Sequence, residues 1–99
     1  MICVKIHKSY RDVIALCDSE LVGKKFEEGV MQLDLRENFY KEKEVTYDEA
    51  VQLIQFQTRE DATFNIVGKN SINAAKEAGI LTDEGVKEIQ GIPFSLVLV

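Results

Sequence analysis

The stretch Val13-Ile14-Ala15-Leu16-Cys17-Asp18-Ser19-Glu20-Leu21-Val22-Gly23-Lys24-Lys25-Phe26-Glu27-Glu28-Gly29 runs apolar for five residues, stops at an acid and passes two glycines before apolar alternation resumes. A short continuous apolar run rich in β-branched residues is the pattern of a well-buried strand. Asp18 ends it, and a carboxylate there can accept backbone N–H bonds as the cap of a short helical turn that Gly23 closes. The corner formed by Cys17, Asp18, Glu20, Gly23 and Lys24 is a candidate functional feature.

On the N-terminal side, Ile2, Val4 and Ile6 alternate with Cys3, Lys5 and His7, the period of a half-buried strand, and Lys8 to Asp12 supply a polar turn. The first eighteen residues therefore read as a β-hairpin. Pairing Ile6 with Ile14 and Val4 with Leu16 places the largest aliphatics on one face and sets Cys3 opposite Cys17. A register one residue tighter pairs Ile6 with Val13 and sets Cys3 against Leu16, and the two alternatives are close in energy. Opposed thiols invite an intramolecular Cys3–Cys17 bond under mild oxidation.

On the C-terminal side, Met31, Leu33 and Leu35 alternate with polar neighbours and suggest a third strand. Thr46-Tyr47-Asp48-Glu49 is a capping box, which starts a helix carrying Ala50, Val51, Leu53 and Ile54 as one stripe, with Val45 placed to staple against Ala50. Phe64, Ile66 and Val67 suit a buried strand. Asn70 or Ser71 is positioned to cap a second helix in which Ile72, Ala75 and Ala78 share a face and Gly79 marks the end. Thr82-Asp83-Glu84 begins a last helical turn carrying Val86 and Ile89. After Gly91-Ile92-Pro93, the segment Phe94 to Val99 has only Ser95 as a polar residue and is expected to be a strand buried on both faces. The fold class is α+β (mixed α/β): about five strands in a mixed sheet with an N-terminal β-hairpin, and two main helices packed on it.

Ninety-nine residues, 45% of them hydrophobic, one proline and no linker-like stretch indicate a single globular domain over residues 1–99. The opening segment is interrupted by charge before a signal peptide could form, and no run has the length of a membrane helix. The chain is expected to be cytoplasmic, with both cysteines reduced. A net charge of −5 disfavours general nucleic-acid binding, which depends on basic surface. Lys24, Lys25, Lys41 and Lys43 are the candidates for a local basic patch, diluted by Glu27, Glu28, Glu42 and Glu44.

The series Cys17-Asp18, Glu20-Leu21, Gly23-Lys24, Phe26, Gly29, Phe39-Tyr40, Asn65-Ile66-Val67-Gly68-Lys69, Ala78-Gly79-Ile80 and Gly91-Ile92-Pro93 resembles the archaeal domain-of-unknown-function family 424 across essentially the whole chain. The resemblance implies an archaeal, stand-alone cytoplasmic protein without an established activity. The sequence departs from that family's pattern in placing Phe94 after the proline, where a polar or histidine residue is usual.

Among chemical possibilities, Gly68-Lys69 lies at a strand-to-helix junction, where backbone amides attract anions. The phosphate-loop fingerprint is incomplete, because neither Ala62 nor Thr63 is the glycine it begins with and Asn70 replaces its Mg-binding Ser or Thr. A small anion or a partner's carboxylate held by the Lys69 to Ser71 amides is the remaining expectation, with Asn65, Gly68, Lys69, Asn70 and Ser71 as the residues. His7 is the only histidine, on a strand's polar face. Cys3 and Cys17 lack zinc-site spacing, and no metal or cofactor is expected. Cys17 as a nucleophile would need a base, conceivably His7, and the neighbouring Asp18 opposes its thiolate. Asp18 with Glu20, or Glu27 with Glu28, could form carboxylate pairs, though acids at a helix cap and on a loop need no such role. Phe39 and Tyr40 form the best candidate partner surface, or pack over the end of the sheet.

With no complete catalytic set, the sequence favours a noncatalytic binding module acting on a protein or ribonucleoprotein partner. A small enzyme or anion-binding protein using the Cys17-Asp18 corner with Asn65 and Gly68-Lys69 is the alternative. A self-associating structural protein pairing through Phe94 to Val99 is a second alternative, so both monomer and homodimer remain open.

Overall fold

The computed structural model describes residues 1–98. In chain order it comprises β1 (Ile2–His7), β2 (Val13–Asp18), a 3-10 turn (Ser19–Leu21), β3 (Lys25–Glu28), β4 (Met31–Asp34), α1 (Glu37–Tyr40), β5 (Lys43–Val45), α2 (Tyr47–Gln57), β6 (Thr63–Val67), α3 (Lys69–Glu77), a second 3-10 turn (Asp83–Gly85), β7 (Lys87–Ile89) and β8 (Ile92–Leu98). The main sheet is mixed, with strand order β5-β1-β2-β6-β8-β7, and β3 pairs with β4 in a separate two-stranded sheet. The fold is α+β with the N-terminal hairpin in place, and the main sheet has six strands rather than about five.

The hairpin adopts the register that pairs Ile6 with Ile14, Val4 with Leu16 and Cys3 with Cys17. This register sends Ile2, Val4, Ile14 and Leu16 to one face, where they join Phe64 and Ile66 from β6, Ala50, Val51 and Ile54 from α2, and Ile72, Ala74 and Ala75 from α3. Ala74 and Ala75 are fully buried, and their small side chains let α3 lie close to the strands. The capping box forms as its sequence predicts: the Glu49 amide donates to Thr46 Oγ1 at 3.2 Å and the Thr46 amide donates to Glu49 Oε1 at 2.9 Å. Val45 and Ala50 are buried in the same cluster.

The other face is covered only in part. Ala15, Cys17 and Val67 are buried there under Leu35 and Tyr40, with Leu21, Val22, Phe26, Leu33 and Phe94 packed around them. Met31–Asp34 is therefore not a third strand of the main sheet: it pairs with Lys25–Glu28, and that hairpin closes the outer face at the Cys17 end. It is tied to the β7–β8 turn through Gln90, whose amide donates to Glu28 Oε1 at 2.9 Å and whose side-chain amide donates to the Glu27 carbonyl at 2.7 Å.

The terminal strand is not buried on both faces. Leu96 and Leu98 are 63% and 71% exposed, whereas Ser95 is buried on the helix face with its hydroxyl donating to the Gly85 carbonyl at 2.7 Å. The cover over the outer face stops at Phe94, and the two leucines lie beyond it; Val99 lies outside the described residues. Val86 and Ile89 belong to no helical turn either, since the turn ends at Gly85 and Ile89 is in β7. No helix among the described residues is long and apolar enough to cross a membrane.

Candidate functional site

The parallel neighbours β2 and β6 end side by side, with Cys17 beside Val67. In α/β folds the carboxyl ends of such strands are where ligands are held. The chain leaves β2 through Asp18 and β6 through Gly68, so two segments fifty residues apart in the sequence meet at one place.

Asp18 is only 2% exposed. The turn Ser19–Leu21 has no side-chain cap, so Asp18 does not serve the helical turn that follows it in sequence. Instead its carboxylate reaches across to α3. The amides of Asn70 and Ser71 donate to Asp18 Oδ2 and Oδ1 at 3.0 and 2.8 Å, and the Ser71 hydroxyl donates to Oδ1 at 2.8 Å. Neither Asn70 nor Ser71 caps α3 itself, because the N-cap position is Gly68, which has no side chain to offer. Asp18 supplies the negative charge that a helix N-terminus favours. The cleft expected at the Lys69 to Ser71 amides is thus not empty: two of those three donors already hold a carboxylate of the chain.

Gly68 makes this approach possible. Its φ is +105°, and a Cβ built on it would stand within 2.7 Å of both Asp18 carboxylate oxygens. Every L side chain at this position meets both a strained backbone and the carboxylate.

Cys17 and Cys3 are both buried free thiols. Burial pushes the Cys17 thiol up to about 12, and the charges of Asp18 and Glu20 push in the same direction. The thiol donates to the Asp18 carbonyl at 3.5 Å. His7 cannot serve it as a base, because His7 pairs with Val13 at the far end of the hairpin, four residues or roughly 13 Å along the strand. The His7 ring stacks on Phe39 with centroids 4.4 Å apart, and its Nε2, facing the Phe39 carbonyl at 2.8 Å, carries the proton and donates it. The Ser19 amide donates to the Met1 carbonyl, so the alternation of the ladder makes Cys3 and Cys17 a hydrogen-bonded pair. Pairs of this class stand wider apart than a disulfide's Cβ atoms require, so bonding the two thiols needs the strands to move.

Of the partner-surface residues, Tyr40 is buried and Phe39 half-buried. They pack edge to face, 4.9 Å between centroids, over the sheet. The Tyr40 hydroxyl donates to Asn65 Oδ1 at 3.3 Å, which holds Asn65 on the outer face, away from Gly68 and Lys69. Burial pushes the Tyr40 phenol up to about 12, with Cys17 adding to the shift. Lys25 pairs with Glu27 at 3.4 Å, while Lys43 lies on the β5 edge at the opposite end of the molecule from the β7 strand that β3 touches. Glu27 and Glu28 hold Gln90 and are not a carboxylate pair.

Around the Asp18 junction lies a cleft. One part, about 210 Å³, is bordered by Glu20, Leu21, Gly68, Lys69, Asn70 and the Gly91-Ile92-Pro93 turn. It adjoins a shallower part of about 420 Å³ that shares Lys69 and Pro93 and extends to Ile72, Lys76, Asp83, Val86 and Glu88. Lys76 and Asp83 form an ion pair across it, which holds the Asp83 carboxyl below its ordinary value. Sequence reasoning missed the contribution of β7 and of Pro93 to this cleft, because the segment Lys87-Glu88-Ile89 carries no strand pattern of its own.

A family model described as "Protein of unknown function (DUF424)" matches residues 7–99. The chain belongs to that family. A solved structure, described as the crystal structure of an uncharacterized conserved protein from Methanopyrus kandleri, superposes with a TM-score of 0.86 at 24% sequence identity, covering 98% of this chain and 91% of that one. The likeness establishes a shared fold. No curated protein matches the sequence.

Proposed function

We propose that this member of the DUF424 family is a small noncatalytic, cytoplasmic binding module that receives a protein partner in the cleft between α3 and the β7–β8 turn. The observation that supports this reading is the position of Asp18. The amides best placed to hold a phosphate or a ligand carboxylate already bond the chain's own carboxylate. What the cleft offers a visitor is side-chain surface: Leu21, Ile92 and Pro93 are apolar, and the exposed Glu20 and Lys69 bring opposite charges to the rim. An apolar centre with a polar, mixed-charge rim is the make-up of a protein interface. A Cys17 thiol raised to about 12 stays protonated near neutral pH, which argues against covalent catalysis at the corner. The net charge of −5 weighs against an RNA backbone as the main contact of a ribonucleoprotein partner.

The test is photo-crosslinking in native lysate from a reactive side chain placed at the exposed position 70, with and without the rim charge swap Glu20→Lys plus Lys69→Glu. The expected result is a specific protein adduct whose yield falls several-fold with the swap while the unfolding midpoint holds. Adducts confined to RNA or to small molecules, or a protein adduct indifferent to the swap, overturn the reading.

A further inference from the structure

The main sheet has two outer strands, and both are guarded. β5 is three residues long and exposes Lys43 and Glu44; β7 is three residues long and exposes Lys87 and Glu88. Short, charged edges are how soluble proteins keep their sheets from pairing with other chains. β8 is different. β7 covers it only from Ile92 to Phe94, so from Ser95 onward it forms a second, unguarded edge.

The ladder fixes what that edge presents. The Gly68 amide donates to the Pro93 carbonyl, and in the antiparallel pairing of β6 with β8 the backbone groups of Ser95 and Val97 therefore also face β6. Leu96 and Leu98 point their N–H and C=O groups the other way, where no strand lies among the described residues. These are the same two residues whose side chains are exposed on the outer face. Beside them is an open depression of about 350 Å³ lined by Gly79 to Thr82 and Gly85.

We propose that Ser95–Leu98 pairs antiparallel with the same segment of a second copy of this chain, joining two six-stranded sheets into one. A two-fold axis through Val97 sets Leu96 opposite Leu98 of the second copy and Leu98 opposite its Leu96. Each such pair exchanges both backbone bonds, so four N–H···O bonds form with no donor left over. The arrangement keeps both outer faces on the same side and brings four leucines together there. The segment is compatible with its own copy: Ile92 to Leu98 contains no charged residue, so the pairing sets no like charges opposite each other although each copy carries −5, and the spacing of the free groups of Leu96 and Leu98 is satisfied in full by the same spacing on the second copy. The edge is separate from the Asp18 cleft, so the dimer stands or falls independently of the proposed partner site.

The full chain is examined by sedimentation equilibrium from micromolar to millimolar concentration, with amide exchange read at both ends of that range. Leu98→Lys guards the edge with a charge. Leu96→Pro removes the donor that faces the second copy while leaving the bonds to β6 intact. A concentration-dependent dimer is expected, with Leu96 and Leu98 amides slowed about tenfold or more in it. Both variants should be monomeric, and Leu98→Lys should keep the wild-type unfolding midpoint of the monomer, so that a failure of Leu96→Pro to fold leaves the test standing. A monomer at millimolar concentration overturns the proposal, as does a dimer that survives Leu98→Lys or one in which the Leu96 and Leu98 amides exchange freely.

Discussion

The end of β2 and the end of β8 invert the expected distribution of polarity. At the first, an aspartate is 2% exposed; at the second, two leucines are more than 60% exposed. The contrast shows that burial here follows hydrogen-bond partners and covering elements rather than hydropathy. Asp18 is tolerated inside because three donors of α3, the Asn70 and Ser71 amides and the Ser71 hydroxyl, meet its carboxylate, and a buried charge so bonded avoids the cost of being left without partners. Leu96 and Leu98 stay outside because the β3–β4 hairpin packs at the Cys17 end and α1 over β1 and β2, and neither lies among the residues packed on the end of β8.

Gly68→Ala breaks the polar end most severely. The new methyl forces the Asp18 carboxylate off α3 and must itself hold a positive φ. We expect a loss of about 4 kcal/mol in urea denaturation, combining backbone strain with a displaced charge. A loss under about 1 kcal/mol would mean that Asp18 moves aside freely and that its bonds to α3 do not hold the junction.

Asp18→Ala leaves the backbone alone and removes the carboxylate, at an expected cost of about 2 to 3 kcal/mol. It also frees the Asn70 and Ser71 amides. Inorganic phosphate titrated against this variant should shift those two resonances selectively, while the same titration of the wild-type chain leaves them in place. Equal shifts in the two proteins would show that the carboxylate does not occupy the amides in solution.

A smaller effect comes from the two raised groups near the junction. Cys17 titrates near 9.0 in the unfolded chain and about 12 in the folded one, so between these values the folded state keeps a proton that the unfolded state has lost. Its contribution is complete below pH 9 and declines as pH rises, by at most about 1.4 kcal/mol per pH unit. Tyr40 adds a similar decline above pH 10. Denaturation midpoints measured from pH 8 to 11 should fall with this curvature, and Cys17→Ala should remove the part that starts near pH 9. A flat profile would contradict the burial of both groups.

How legible these features are in the sequence depends on their range. The capping box at Thr46 and Glu49 spans four residues, and its signal is complete within them. The hairpin register is legible as one of two alternatives close in energy: the observed one puts Val4, Ile6, Ile14 and Leu16 on a single face, and a one-residue slip would send the aliphatics of one strand to the other face. Asp18 carries the same capping chemistry as Thr46, but its partners lie 52 and 53 positions away, and nothing near it in the sequence names them. A carboxylate beside a turn is naturally read as the cap of that turn. The strands Lys25–Glu28, Lys43–Val45 and Lys87–Ile89 were illegible for another reason: three or four residues rich in charge show no period, and they are strands only because a neighbour pairs with them. The terminal segment misleads in the opposite sense, since six apolar or small residues say nothing about whether anything lies over them.

The bond from Ser71 to Asp18 also ties the timing of assembly together. Helix α3, Lys-Asn-Ser-Ile-Asn-Ala-Ala-Lys-Glu, starts at a glycine and holds two asparagines and a serine, so it has little tendency to form alone. Its first turn is completed by an acid that arrives only when β2 and β6 have aligned, after a loop of some fifty residues has closed. The β2–β6 pairing is therefore expected to precede α3 in folding, with higher φ-values for substitutions in β2 and β6 than in α3. In native-state exchange, the Asn70 and Ser71 amides should open only with the whole molecule.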